Sequence, residues 1–173
     1  DIFFVISGYL ITSIIYEDLN KNKFSLKNFY IKRCRRIFPA LIFTILISLL
    51  LSWYSVMPVS FIEYAKSMIY SLIFVSNYYF YFSGLEYGAV SGLLKPLLHT
   101  WSLAIEEQFY IIFPLLFIFG FRKLRKNLIL YLGILLFISF VTAVYFSNFA
   151  QNFNFYFIGS RAWELLIGSL LFL

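Results

Sequence analysis

The chain has 173 residues, of which 62% are hydrophobic, 23% aromatic and only 13% charged, and its formal net charge is +6. Its mean hydropathy is +0.85, whereas average soluble domains are about a quarter charged. The chain therefore lacks the polar residues that would cover a water-exposed surface, which excludes a soluble globular protein. The composition predicts an all-α, polytopic transmembrane helix bundle.

Apolar segments separated by polar stretches follow one another along the chain. Residues 2–16 predict a membrane segment shorter than the ~20 residues that a bilayer core requires, and residues 17–36 predict a polar, basic loop. Pro39 lies in the first turn of the next segment, where its missing N–H costs little. The later apolar segments cover residues 37–57, 67–83, 101–121, 128–147 and 161–173.

The chain shows no internal repeat and no low-complexity linker. Residues 1–173 are therefore expected to belong to a single transmembrane domain. Because the chain starts at Asp1 rather than Met and ends inside an apolar segment, this domain is expected to be truncated at both ends.

The distribution of basic residues predicts the membrane orientation. Of 14 Lys and Arg residues, seven lie within 21–36 and four within 122–126, and short basic loops stay in the cytoplasm. Two cytoplasmic loops are joined by an even number of crossings, so residues 67–83 are expected to be re-entrant or interfacial. His99 would then approach the membrane from outside. The alternative is that 67–83 crosses and 122–126 faces outward.

Three ionisable residues lie at or near the start of the apolar segment 101–121. His99, Glu106 and Glu107 are expensive in a bilayer, which indicates function by default. His99 and Glu106 are two helical turns apart and would share a face if the helix starts at or before His99. An imidazole beside a carboxylate suits proton removal from a hydroxyl. The alternative is a purely structural role. No second His, HExxH motif or Cys pair is present, so no metal site is predicted.

A basic cluster precedes the second apolar segment. Arginine and lysine side chains suit phosphate groups, so this cluster could hold a phosphorylated donor at the cytoplasmic face. The alternative is contact with anionic lipid headgroups. The cluster consists of Lys32, Arg33, Arg35 and Arg36.

A third polar group begins the last apolar segment. Arg161 and Glu164 are three residues apart and can pair in a helix, and Gly168 allows close helix approach. The pair either fixes the packing of the helices or lines a substrate path.

Four blocks of the sequence together resemble the membrane acyltransferase-3 family, in particular bacterial O-acetyltransferases that modify surface polysaccharides. They include Phe-Phe-Val-Ile-Ser-Gly at 3–8, Phe-Tyr-Ile-Lys-Arg at 29–33, His-Thr-Trp-Ser-Leu at 99–103 and Arg-x-Trp-Glu-Leu at 161–165. The resemblance implies a bundle of about ten transmembrane helices that moves an acyl group, typically acetyl from acetyl-CoA, onto a carbohydrate hydroxyl.

The resemblance also implies roles for individual residues. The family's main catalytic histidine belongs to a first helix expected to precede Asp1, so His99, Glu106 and Glu107 are expected to support the reaction. The basic cluster would bind the donor. The residues expected to shape the structure or the pocket are Ser7, Gly8, Trp101, Ser102, Arg161, Trp163 and Glu164.

The expected partners and location follow from this resemblance. Acyl-CoA is expected as co-substrate without a bound cofactor, and the acceptor as a cell-surface polysaccharide or lipid-linked glycan. The protein is expected to be a multi-pass protein of the cytoplasmic (inner) membrane and not to bind nucleic acid. Many relatives carry a C-terminal SGNH hydrolase-like domain. The alternative function is a transporter or flippase, since buried charges and broken helices also occur there.

Overall fold

The computed structural model describes residues 2–55, 58–85 and 95–173, and within these ranges the chain is helical without any β-strand. A 3-10 turn, Arg125–Asn127, precedes α6. Most of the predicted irregular stretch 84–98 lies outside the described residues. The helices are α1 Ile2–Asn20, α2 Leu26–Ser55, α3 Pro58–Leu72, α4 Ser76–Leu85, α5 Thr100–Lys123, α6 Leu128–Phe149, α7 Gln151–Tyr156 and α8 Ile158–Phe172.

Four of the described helices, α1, α2, α5 and α6, are long and apolar enough to cross a membrane. These helices carry many exposed apolar side chains, which would be unfavourable in water. Leu50 and Leu51, for example, are each 66% exposed. Such surfaces are stable against lipid or against other membrane helices. The prediction of an all-α multi-pass membrane protein is therefore confirmed.

The predicted loop at residues 17–36 was wrong, because most of it is helical. α1 continues to Asn20, so it is not the short segment 2–16, and α2 already begins at Leu26. Leu, Lys and Arg are good helix formers, and long basic side chains reach water while the backbone stays helical. The basic cluster thus lies on α2, and Pro39 is inside this helix rather than in its first turn.

α1 ends in a Schellman motif. Asn22 has φ 53°, a left-handed conformation that Asn tolerates better than most residues. Its N–H donates to the Leu19 carbonyl at 3.1 Å, and the Lys23 N–H donates to the Asp18 carbonyl at 2.9 Å. These bonds satisfy the last carbonyls of the helix, so the link between α1 and α2 needs only a few residues.

The segment 67–83 is broken into two helices. α3 ends at Leu72 and α4 starts at Ser76. Phe74 between them has φ 55°, and the N–H of Val75 donates to the Tyr70 carbonyl at 2.9 Å. Neither helix is among the described helices long enough to span a bilayer. This break fits the predicted re-entrant or interfacial segment, whose placement in the membrane stays a prediction.

The described residues group into two compact units. The first consists of Asp1–Leu26 and Glu106–Leu173, and the second of Lys27–Ile105.

In the first unit, α1 packs directly on α8 through two glycines. A Cβ on Gly8 would collide with the backbone carbonyl of Leu165, and one on Gly168 would collide with the carbonyl of Val5. The missing side chains therefore let the two backbones touch. The predicted role of Gly168 in close helix approach is confirmed by this contact.

α1 and the adjoining part of α5 run in the same direction. The hydroxyls of Ser7 and Tyr110 hydrogen bond, and Tyr16 packs edge-on against Phe121 with centroids 5.8 Å apart. At the ends of the helices, Arg125 donates to the Asn20 side chain at 3.4 Å. Residue numbers rise together on both helices, so the end of α1 and the basic turn after α5 lie at the same end of this unit.

In the second unit, aromatic and hydroxyl side chains join α2, α3 and α4. The Tyr64 and Ser48 hydroxyls are 2.6 Å apart and connect α3 to α2. Tyr79 stacks on Tyr70 with centroids 4.8 Å apart, and its hydroxyl donates to the Glu63 carbonyl at 2.9 Å. The contacts of Tyr79 hold the two halves of the broken segment together.

Candidate functional site

The first turns of α8 carry a buried ion pair. Arg161 Nη1 donates to Glu164 Oε1 at 2.7 Å, and the two side chains are 17% and 5% exposed. Glu164 Oε2 is also buried, but it accepts no hydrogen bond from the described residues. A buried carboxylate oxygen needs a donor, so this atom is open to a hydroxyl or water. The Arg161–Glu164 pair expected from the sequence is present in the structure.

An aromatic residue of α7 lies against the arginine of this pair. The Arg161 guanidinium lies 5.0 Å from the centroid of the Phe155 ring, and its Nε donates to the Phe155 carbonyl at 3.4 Å. Burial raises the pKa of the neighbouring Tyr156 phenol, which stays protonated at neutral pH and can donate. An aromatic ring beside an arginine and a carboxylate is a suitable environment for polar ligands with apolar faces.

Trp163 links this region to α6. Its backbone N–H donates to Ser139 Oγ at 2.9 Å, and its ring packs edge-on against Phe140 with centroids 5.4 Å apart. The same Ser139 hydroxyl donates to the Gly159 carbonyl at 2.6 Å. Trp163 and Ser139 therefore fix the start of α8 against α6, which holds the Arg161–Glu164 pair in place.

The carboxylates of α5 differ in burial. Glu107 is buried, at 8% exposure, while Glu106 is only half-buried. Glu107 lies one turn before Tyr110 and shares its helix face, and Tyr110 is the partner of Ser7. The more buried of the two glutamates is therefore Glu107, and not Glu106, which the sequence spacing paired with His99.

Ser7 and Gly8 connect both carboxylate-bearing helices through α1. Ser7 hydrogen bonds with Tyr110 on α5, and Gly8 lies against Leu165, the residue after Glu164 on α8. Ser169 Oγ also donates to the Gly8 carbonyl at 3.4 Å. Ser7 thus provides a hydroxyl partner for α5, and Gly8 allows a close backbone contact with α8.

In the second unit, His99 lies in the turn immediately before α5, which starts at Thr100. Its side chain is exposed, and its carbonyl accepts a hydrogen bond from Ser102 Oγ at 3.1 Å. Trp101 and Ser102 are half-buried. Because Glu106 belongs to the first unit, the pairing of His99 with a carboxylate stays a prediction.

A buried hydroxyl cluster lies directly behind His99. Thr100 is 3% exposed, and its hydroxyl lies 2.8 Å from that of Ser71 and 3.1 Å from that of Ser76. Ser76 also donates to the Thr100 carbonyl at 3.0 Å. Thr100 therefore ties the break between α3 and α4 to the turn that carries His99.

This hydroxyl cluster was not identified from the sequence. Its signal was the spacing of Ser67 and Ser71, one helical turn apart in an otherwise aromatic and apolar segment. Ser71 Oγ donates to the Ser67 carbonyl at 2.7 Å. Tyr110 was also missed as a site residue, because its partner is more than a hundred residues away.

The basic cluster occupies the first half of α2. Lys32, Arg35 and Arg36 are exposed and Arg33 is half-buried. On a helix, residues 32, 35 and 36 lie on one face, which concentrates three positive charges toward the solvent. No group of three or more His, Cys, Asp or Glu able to hold a metal occurs in the described part of the chain.

The fold and the buried charges define a class. This is a multi-pass α-helical membrane protein that holds carboxylates, an arginine and hydroxyl groups between its helices, as membrane proteins do where they bind polar substrates. A family model described as "Acyltransferase domain" matches residues 1–173. The chain therefore belongs to this acyltransferase family, and the resemblance deduced from its four sequence blocks is confirmed.

The chain is similar in sequence to several bacterial proteins. A protein of Haemophilus influenzae described as uncharacterized is 41% identical over 99% of this chain and 72% of its own length. The peptidoglycan O-acetyltransferase OatA of Listeria monocytogenes is 39% identical over 97% of this chain. The O-acetyltransferase OatA of Staphylococcus aureus is 34% identical over 99% of it. The match spans only 28% and 29% of the two OatA proteins. No solved structure matches the chain.

Proposed function

We propose that the protein transfers an acyl group, in the first place acetyl, from acyl-CoA to a hydroxyl of a cell-surface carbohydrate. The observation that carries the proposal is the buried Arg161–Glu164 pair with an open carboxylate oxygen, in a chain of the acyltransferase family. The names of the OatA relatives support a cell-wall polysaccharide such as peptidoglycan as the acceptor class. The family match favours this function over a transporter or flippase.

The proposed reaction is direct acyl transfer. The acceptor hydroxyl oxygen forms a bond to the carbonyl carbon of the thioester, the carbon–sulfur bond breaks, and the hydroxyl proton leaves with the thiol of CoA. The open oxygen Glu164 Oε2 would accept a hydrogen bond from a hydroxyl of the acceptor. Arg161 would hold the Glu164 side chain in place through the 2.7 Å contact between its Nη1 and Glu164 Oε1, which leaves Oε2 for the acceptor.

His99, Glu106 and Glu107 are proposed to assist this step. A neutral imidazole can take a proton from a hydroxyl, and a carboxylate can orient it. The exposed position of His99 leaves its ring accessible to a substrate. Glu107, buried beside Tyr110 on α5, would position the acceptor rather than exchange protons with water.

The donor is proposed to bind at the basic cluster of α2. The phosphates of acyl-CoA match guanidinium and ammonium groups, and Lys32, Arg35 and Arg36 present theirs on one exposed helix face. Because acyl-CoA is cytoplasmic, this proposal places the cluster on the inner side of the cytoplasmic membrane, in agreement with the positive-inside rule.

The proposal is tested by acyl analysis of surface polysaccharide from cells that carry the full-length gene, a deletion or a point variant. Glu164→Gln should lower acylation by about 10²-fold, because a misoriented acceptor loses much of the advantage of positioning. Glu17→Gln is the matched control, since Glu17 is an exposed glutamate paired with Lys21 at 3.3 Å.

Mass spectrometry of the polysaccharide measures the acyl content, and immunoblotting measures the protein level. Unchanged acylation after deletion of the gene would contradict the proposed function. Normal acylation by a well-expressed Glu164→Gln protein would contradict only the role of Glu164.

A further inference from the structure

An apolar cavity of about 400 Å³ lies in the first unit between α5, α6 and α8. Protein interiors leave few voids larger than a water molecule, and ligand pockets measure about 300–1,000 Å³. The cavity therefore has the size of a binding site. The proposed transfer reaction does not use it.

The lining of the cavity offers nothing to a polar ligand. Among the described residues that line it, the hydroxyl side chains are those of Ser139 and Thr142. Ser139 already donates to the Gly159 carbonyl at 2.6 Å, and Thr142 donates to the Ile138 carbonyl at 2.7 Å. Water in a cavity needs two to four polar partners, so this cavity suits a hydrocarbon ligand.

The walls of the cavity are fixed rather than loosely packed. Ser139 bonds both the Gly159 carbonyl and the Trp163 N–H, which sets the separation of α6 and α8. On the α5 side, Phe109 and Phe113 stack with centroids 4.7 Å apart and form a flat wall. Because these contacts resist collapse, the space persists for an occupant.

The cavity is open on an apolar side of the first unit. Ile112 and Ile138 belong to its lining and are 48% and 57% exposed, and both lie on helices able to cross a membrane. Leu166, on the opposite wall, is only 4% exposed. A hydrocarbon chain that enters past the exposed isoleucines would therefore reach a residue that is otherwise buried.

We propose that this cavity binds one hydrocarbon chain of a membrane lipid. The occupant is an acyl chain of a phospholipid, which every bilayer supplies; binding of a polyisoprenyl carrier lipid instead is an outcome that the test distinguishes. The proposal concerns lipid binding alone and does not depend on the transfer reaction.

The test uses the full-length protein reconstituted with a phospholipid that carries a diazirine near the end of one acyl chain. After photolysis, mass spectrometry maps the labelled residues. Label on Leu166 is expected, because only an inserted chain reaches it. Excess unlabelled phospholipid should compete with the label, whereas stronger competition by excess polyisoprenyl phosphate would overturn the assignment to a phospholipid.

Two neighbouring leucines of α6 give a matched pair of variants. Leu135 lines the cavity and Leu136 does not, and both are half-buried. Leu135→Trp should fill the cavity and lower labelling of Leu166 by roughly tenfold, whereas Leu136→Trp should leave it unchanged. Ala162→Leu fills the cavity from α8 with a smaller side chain, and serves if Leu135→Trp does not fold.

Absence of label on Leu166 in the wild-type protein would overturn the proposal. Equal labelling in the cavity-filling variant and the Leu136→Trp control would also overturn it, because the label would then arrive by another route.

Discussion

The crossing of α1 and α8 gives a quantitative prediction for Gly168→Ala. A Cβ at residue 168 would lie 2.8 Å from the Tyr9 backbone nitrogen and closer still to the Val5 carbonyl oxygen. Carbon atoms in ordinary contact are about 3.5–4.0 Å apart. Both close atoms belong to the backbone of α1, so no side chain can move aside and the helices must separate.

The expected magnitude combines two opposing effects. Overpacking in a well-packed interface costs about 1–3 kcal/mol, and here the separation also loosens Leu165 and Ser169, which are both fully buried. Alanine in a helix interior gains about 0.5–1 kcal/mol over glycine. Gly168→Ala should therefore lower the free energy of unfolding by about 1–2 kcal/mol, the difference between these effects.

Gly133→Ala in α6 is the control, because a Cβ there meets no atom within 4 Å. It should raise the stability by about 0.5–1 kcal/mol through helix propensity alone. Unfolding in mixed micelles with increasing SDS, followed by circular dichroism, measures both variants. A Gly168→Ala protein as stable as the Gly133→Ala protein would refute the close contact of α1 and α8.

Two further predictions concern the second unit and the topology. Thr100→Val should destabilise the protein by about 1–3 kcal/mol, because buried serine hydroxyls lose their partner, while Thr100→Ser should restore most of the stability in the same unfolding assay. In a Cys34→Ser background, a cysteine at residue 84 should react with an impermeant maleimide in intact cells, and one at residue 127 only after permeabilisation. Labelling of residue 84 only after permeabilisation would mean that 67–83 crosses the membrane.

The fold class was predictable from the sequence, whereas the helix ends near the membrane surface were not. Apolar composition marks where a helix meets lipid, but the backbone of α1 and α2 stays helical beyond that boundary. The end of α1 is set by the left-handed Asn22 and its Schellman bonds, and asparagine is common enough in polar stretches that it does not stand out. Polarity therefore located the membrane boundary and missed the helix boundary.

For the candidate site, contacts between residues close in sequence could be predicted from their spacing, whereas contacts between distant residues could not. The Arg161–Glu164 ion pair follows from the i,i+3 rule, and the structure contains it at 2.7 Å. The contact of Ser7 with Tyr110 depends on the parallel packing of α1 and α5, which no local pattern encodes. The same applies to Thr100, whose partners come from the broken segment between α3 and α4.

The depth of the site follows from the parallel helices of the first unit. Asn20 at the end of α1 contacts Arg125 of the basic turn, and Gly8 lies about 18 Å from Asn20 along the helix, at 1.5 Å per residue. Leu165, the neighbour of Glu164, contacts α1 at this level. The apolar part of α1 ends near Tyr16, which is about 12 Å from Gly8 along the helix. Half of the hydrocarbon core is about 15 Å, so Glu164 lies near the membrane midplane. If the basic end faces the cytoplasm, the proposed transfer requires the acyl group to reach about the middle of the bilayer before it meets the acceptor. A membrane acyltransferase with a cytoplasmic donor and an external acceptor would then require buried charged side chains at that depth, rather than at either surface.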